Sequence, residues 1–83
     1  MSKEKKTQAD LMRTSQAAQA GGVSKQTLQY YLMCGLIEPT KRTPSGHQLF
    51  DQKTIERIKL VKQINESGYP LREIRDIFLD HQS

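Results

Sequence analysis

Apolar positions along this chain repeat at helical spacing in three places. Leu28, Tyr31, Leu32 and Cys34 share one side of a helix that Ser24 caps and Gly35 ends. Ile55, Ile58, Val61 and Ile64, with Leu60 alongside, form a stripe on a helix capped by Asp51 and closed by Gly68, and its other side carries Lys53, Arg57, Lys59 and Lys62 to solvent. Leu71, Ile74, Ile77 and Phe78 give the buried face of a helix opened by Pro70, whose fixed φ and missing N–H cost little there. Ahead of these, Ser15 reads as the N-cap of a short helix of good formers, Gln16 to Ala20. Gly21-Gly22 stops it, and Val23 follows as an apolar pin.

Between the second and third helices the period changes. Short extended arms, the first from Leu36-Ile37 to Lys41-Arg42-Thr43 and the second His47-Gln48-Leu49-Phe50, flank a Pro44-Ser45-Gly46 turn and predict a small hairpin. The order is therefore helix, helix, hairpin, helix, helix, a mainly α architecture. Its first two helices, joined by a tight glycine turn, have the outline of a helix-turn-helix. Residues 1–11 are polar and aperiodic and predict a disordered basic arm, leaving 12–83 as the folded domain.

At 83 residues there is room for one domain, whose core supplies roughly 3–5 kcal/mol unless something staples it. The single cysteine, Cys34, excludes an internal disulfide and fits a reducing, cytoplasmic setting. It lies at an apolar helical position and reads as core. No apolar run follows the charged amino terminus and none approaches membrane-spanning length, so neither an export signal nor a membrane partner is expected.

The net charge of +4 is unevenly placed. Residues 1–50 hold seven bases and three acids, whereas residues 51–83 hold six of each. That split fits a basic, anion-binding first part braced by a neutral scaffold, or simply a solvated surface. Paired carboxylates at useful spacing, a nucleophile–base set and a Gly-rich phosphate loop are all missing, and no Cys or carboxylate cluster accompanies either histidine, His47 or His81. The expectation is a protein that is not an enzyme and needs neither metal nor cofactor.

Several separated motifs, in order and at the right spacing, carry a family resemblance. Gly22-Val23-Ser24, Thr27-Leu28, Tyr30-Tyr31, Gly35-Leu36-Ile37, Arg42-Thr43, Ser45-Gly46, Phe50-Asp51 and Gly68-Tyr69 through Glu73-Ile74 resemble the amino-terminal DNA-binding domain of the MerR family of bacterial transcription regulators. The resemblance runs from about Met12 to Phe78. It implies a winged helix-turn-helix, with four helices and a β-hairpin wing between helices two and three, that binds double-stranded DNA in sequence-specific transcriptional regulation. Such a protein is cytoplasmic and nucleoid-associated, and its further partners are RNA polymerase and, weakly, a second copy of itself.

In such a domain the second helix enters the major groove with its amino-terminal turn forward, placing Ser24, Lys25, Gln26 and Thr27 nearest the base edges. Gln29 follows one turn later. Gln26 and Gln29 are the candidate base readers, because a Gln amide bonds an adenine edge bidentately. Of the tyrosine pair, Tyr31 faces the core and Tyr30 reaches outward, where the resemblance implies a DNA-backbone contact. The hairpin presents Lys41, Arg42, Thr43, His47 and Gln48 for phosphate or minor-groove contact, Arg42 foremost. Tyr69 and Arg72 match a second small wing, although Arg72 also stands in register to pair with Asp76.

The chain departs from the family pattern at several points. Gln29 and Leu32 stand where Arg and Glu usually flank the tyrosine pair, and Gly46-His47-Gln48 stands where the wing commonly reads Gly-Tyr-Arg. Pro70 replaces the usual serine cap of the fourth helix, and Thr14 replaces an apolar residue before the first. Weaker nonspecific affinity and a shallower salt dependence are expected. The chain stops at Ser83, so the resemblance covers the DNA-reading part without the dimerisation helix and effector region that usually follow. Two other readings stay open: an excisionase-like or architectural factor that bends DNA, and a protein-interaction module on the same fold.

Overall fold

The computed structural model describes residues 11–82, with side chains described through Ile77. Residues 1–10 of the predicted arm over 1–11, and the side chains of Phe78 and His81, lie outside the described residues. In chain order the elements are β1 (Met12–Arg13), α1 (Thr14–Gly21), α2 (Lys25–Met33), β2 (Lys41–Arg42), β3 (Gln48–Phe50), α3 (Gln52–Glu66) and α4 (Leu71–Gln82). The four helices and the hairpin stand where the sequence places them. An additional strand, β1, pairs antiparallel with β3, Met12 opposite Phe50 and Arg13 opposite Leu49, making a three-stranded sheet ordered β1-β3-β2.

That strand also explains where α1 begins. Its N-cap is Arg13, not Ser15 as the helix formers suggest. The Arg13 backbone N–H donates to Gln16 Oε1 at 3.0 Å, so a side chain inside the first turn reaches back and satisfies the capping residue. The other end of α1 depends on two glycines with different tasks. Gly22 adopts a left-handed conformation (φ 79°), with its N–H donating to Gln19 O at 3.1 Å and the Val23 N–H donating to Ala18 O at 2.9 Å. This pattern closes the orphan carbonyls of a helix and turns the chain within one residue. It seats Val23 half-buried against the core and delivers Ser24 to cap α2, where Ser24 Oγ accepts the Thr27 N–H at 3.0 Å.

Gly21 is needed for closeness. A Cβ at this buried position would stand 2.5 Å from Ile58 Cγ2 and 3.1 Å from Ile58 Cβ. Ile58 is fully buried and branched at Cβ, so it has little room to yield. Gly21→Ala is therefore expected to destabilise the domain by about 1–3 kcal/mol through overpacking, outweighing the ~1 kcal/mol that alanine gains as a helix former. A urea titration of the variant against the parent protein checks the sign.

The core is one cluster: Ala17 and Ala18 of α1, Leu28 and Tyr31 of α2, Leu36 and Ile37 of the link to the wing, Phe50, Ile55, Ile58 and Val61 from β3 and α3, and Ile74 of α4. Met12, Val23, Leu32, Cys34, Ile64 and Leu71 pack at its margin. Three expectations need correction. Leu36 and Ile37 are core residues, not hairpin arms, because the chain after α2 turns inward: Gly35 is left-handed and the Leu36 N–H donates to Tyr31 O at 3.0 Å. Arg57 is half-buried, and its Nε–H donates to Leu36 O at 2.8 Å, tying α3 to the end of α2. Ile77 is 42% exposed; among the described residues of α4, Leu71 and Ile74 are the ones that meet the core. Burial, with a smaller contribution from the charge of Glu66, pushes the Tyr31 phenol above its ordinary pKa and keeps it neutral.

Candidate nucleic-acid interface

The wing is built at both of its ends by local hydrogen bonds. At the tip, the Gly46 N–H donates to Thr43 O at 2.9 Å and the Thr43 N–H to His47 O at 2.8 Å. Thr43 Oγ1 accepts the His47 N–H at 3.0 Å, so this hydroxyl closes its own turn. Ser45 Oγ lies 3.3 Å from Thr43 Oγ1 and 3.4 Å from His47 Nδ1, completing a polar crest. β2 pairs with β3, Lys41 opposite Leu49 and Arg42 opposite Gln48.

At the base, Asp51 caps α3 as the sequence predicts. Its Oδ1 accepts the Thr54 N–H and the Thr54 hydroxyl, both at 2.9 Å, while Thr40 Oγ1 accepts the Asp51 N–H at 3.0 Å. Thr40 and Thr54 Oγ1 are 3.1 Å apart. With the Thr54 proton committed to Asp51, Thr40 is the donor of that pair. The Thr54 backbone N–H foremost, and the Thr54 hydroxyl after it, hold the Asp51 carboxyl below the usual carboxylate pKa against the opposing effect of burial. A depressed folded pKa means stability that is present at neutral pH and fades as pH falls from about 5 through the folded value. Asp51→Ala is expected to cost about 1 kcal/mol at pH 7, and Asp51→Asn to flatten the fall in melting temperature between pH 6 and 3.

α2 lies beside the wing; two shallow hollows join them, and a third lies on α2 alone. The first, of about 320 Å³, is lined by Arg13, Thr14 and Ser15 at the start of α1, Lys25 and Gln29 on α2, and Gly46, His47 and Gln48 on the wing. The second includes Leu32, Glu38, Arg42 and Gln48, and the third Gln26, Thr27, Gln29, Tyr30 and Met33. Gln48 is a wall of the first and second, Gln29 of the first and third. One band thus runs from the outward side of α2 across the start of α1 to the wing. Among the described residues that line it, Arg13, Lys25 and Arg42 are cationic and Glu38 is the one acid. A surface of mixed amide, hydroxyl and cationic groups, with apolar lining from Leu32 and Pro39 at one place and Tyr30 and Met33 at another, is suited to an extended polyanion that also carries apolar groups.

Most of the sequence-predicted site residues meet in this band: Lys25, Gln26, Thr27, Gln29, Tyr30, Arg42, His47 and Gln48. The orientation of the tyrosine pair is as expected, Tyr30 52% exposed and Tyr31 buried. Ser24 caps α2 and donates its hydroxyl proton to Thr27 Oγ1 at 2.9 Å, which leaves Thr27 with the free proton of the two. Lys41 is exposed on β2, and Thr43 is half-buried in the turn. Tyr69 and Arg72 are exposed at the entry to α4, outside the three hollows, and Arg72 forms no ion pair with Asp76, since the described ion pairs are Lys59–Glu56 and Lys62–Glu66. Sequence reasoning missed Arg13, Thr14 and Ser15. Their only signal is a base preceding the polar first turn of a helix, and nothing one-dimensional shows that this turn faces the wing.

A helix-turn-helix braced by a sheet and flanked by a hairpin beside its second helix is the architecture of a winged DNA-binding domain. The MerR HTH family regulatory protein model matches residues 12–80, and this chain belongs to that family. It is 37% identical over 62 residues to the mercuric resistance operon regulatory protein of Bacillus cereus, covering 75% of this chain and 47% of that protein. Among solved structures, a MerR family transcriptional regulator from Bacillus cereus superposes with a TM-score of 0.74 at 28% identity, over 83% of this chain and 52% of that one. HiNmlR, a MerR family regulator lacking the sensor domain and bound to promoter DNA, superposes with a TM-score of 0.73 at 27% identity, over 81% of this chain and 53% of that one. The chain spans about half the length of these relatives.

Proposed function

We propose that this protein binds double-stranded DNA in a sequence-specific way as the DNA-reading domain of a transcriptional regulator. The observation that carries the reading is the continuous band that α2, the start of α1 and the wing make together, on a fold shared with a regulator bound to promoter DNA. α2 lies in the major groove, where Gln26 and Gln29 read adenine edges, Thr27 offers its hydroxyl and Ser24 holds the amino-terminal turn in shape. Lys25, Arg13 and the exposed first turn of α1 hold phosphates on one side. Arg42, Lys41, His47, Gln48 and the polar crest at Thr43 hold the backbone on the other, while Tyr30, Tyr69 and Arg72 add flanking phosphate contacts.

Family membership favours regulation over the DNA-bending and protein-interaction readings. A second copy and RNA polymerase are the proposed protein partners, and the bacterial cytoplasm the proposed compartment. The test is selection of bound duplexes from a random pool, followed by titrations at several salt concentrations. A recurring motif and a log–log salt dependence of several phosphates support the proposal. Recovery of unenriched sequences with no binding even at low salt would sink it.

A further inference from the structure

The outward side of α2 carries two apolar side chains that the core does not use: Met33, 82% exposed, and Tyr30, 52% exposed. They stand three residues apart, with Gln29 four residues before Met33 and Gln26 one further turn back, so all four lie on one stripe of the helix. With Thr27 they line a hollow of about 420 Å³ that contains no charged residue. Gln29 is also a wall of the cleft that holds Arg13 and Lys25, so this apolar surface is continuous with the cationic band. An occupant must therefore be apolar at one end of the stripe, amide-complementary along it, and part of an anion.

Major-groove DNA meets all three conditions at an A·T pair. Adenine offers N6 and N7 to an amide, thymine offers the groove's apolar group, its C5 methyl, and phosphates flank both. Two helical turns separate Gln26 from Met33, about 10.5 Å at ~1.5 Å per residue. That is about three base-pair steps of ~3.4 Å. We propose that Met33, with the Tyr30 ring beside it, reads a thymine methyl about three base pairs from the base pair that Gln26 meets. This inference rests on the DNA-reading role of α2 and adds a specificity determinant to it.

The test uses a duplex selected from the random pool, resynthesised with each thymine replaced in turn by deoxyuridine, which deletes the methyl and nothing else. One replacement is expected to weaken binding about 4-fold, from ~0.8 kcal/mol per buried methyl group. Met33→Ala should bind the unmodified duplex about 4-fold more weakly and ignore that replacement, whereas Met33→Leu should still respond to it. Met33 is exposed, so both variants retain the fold, which circular dichroism verifies. Indifference of the parent protein to every deoxyuridine, or a Met33→Ala variant that still responds, would overturn the inference while leaving DNA binding in place. Failure to bind any duplex overturns the DNA-reading role itself. Unchanged duplex affinity in Met33→Ala with an altered sedimentation coefficient assigns the patch to a second copy of the chain and overturns the thymine contact.

Discussion

Replacing Phe50 by alanine is expected to leave the domain largely unfolded at room temperature. Phe50 is the bulkiest of the fully buried side chains and closes β3 opposite Met12, immediately before the Asp51 cap of α3. It therefore joins the sheet, the wing and the helical core at one point. Truncating a buried phenylalanine to alanine costs about 3–5 kcal/mol, through lost transfer energy and the cavity left behind. A domain of this size without disulfide or metal has roughly that much stability in total. The check is a thermal melt followed by far-ultraviolet circular dichroism. The expected outcome is loss of the cooperative transition in Phe50→Ala and a lowered but intact transition in Phe50→Leu, which keeps most of the apolar volume. A Phe50→Ala protein that melts like its parent would show that the core does not converge on this residue.

Removing two cations from the band is expected to have the largest effect on binding. In Lys25→Ala combined with Arg42→Ala, both changes fall on exposed side chains, in two hollows that share Gln48 as a wall, so the fold should be unaffected. Each loses a charge-assisted phosphate contact, and such bonds contribute about 1.5–3 kcal/mol when well formed. With discounts for solvent screening, the double variant should bind every duplex about 10- to 100-fold more weakly. The slope of log affinity against log salt should fall by about 2, one phosphate for each cation. Gln26→Ala should behave differently, relaxing the preference at one position and leaving the salt slope unchanged. Fluorescence-anisotropy titrations over a series of salt concentrations separate the two patterns. An unchanged slope in the double variant would remove Lys25 and Arg42 from the interface.

The helices were legible because their apolar stripes and stop signals are local. Ser24 and Asp51 cap α2 and α3, Gly22, Gly35 and Gly68 are left-handed just past the helices they end, and the hairpin sits at its Pro-Ser-Gly turn. What escaped the sequence depends on contacts between distant segments. Ser15 looks like a cap, but pairing of Arg13 with Leu49 starts α1 earlier. Arg57 looks like a solvated residue until the fold brings the Leu36 carbonyl to its Nε. Ile77 continues the apolar stripe, yet among the described residues of α4 it is Leu71 and Ile74 that meet the core.

The candidate site divides along the same lines. The residues on α2 and the wing were recognisable from spacing and family resemblance. Arg13 enters the band only because β1 lays the start of α1 beside α2 and the wing. Met33 looks like a core residue by type, and only its exposure marks it as part of the outward stripe. Leu32 shows what a departure from the family pattern does locally. In the position where a glutamate is usual, it packs at the core margin and lines the hollow that also holds Glu38 and Arg42.

One band, made by the outward side of α2, the start of α1 and the wing, is the proposed DNA-binding surface. Backbone amide NMR of the labelled protein, titrated with the duplex selected from a random pool, tests it most directly. Shift changes are expected to concentrate in residues 13–15, 24–33 and 41–48, with smaller ones at Tyr69 and Arg72 and none on the solvent side of α3. Changes centred on the exposed residues of α3, with α2 and the wing silent, would contradict it.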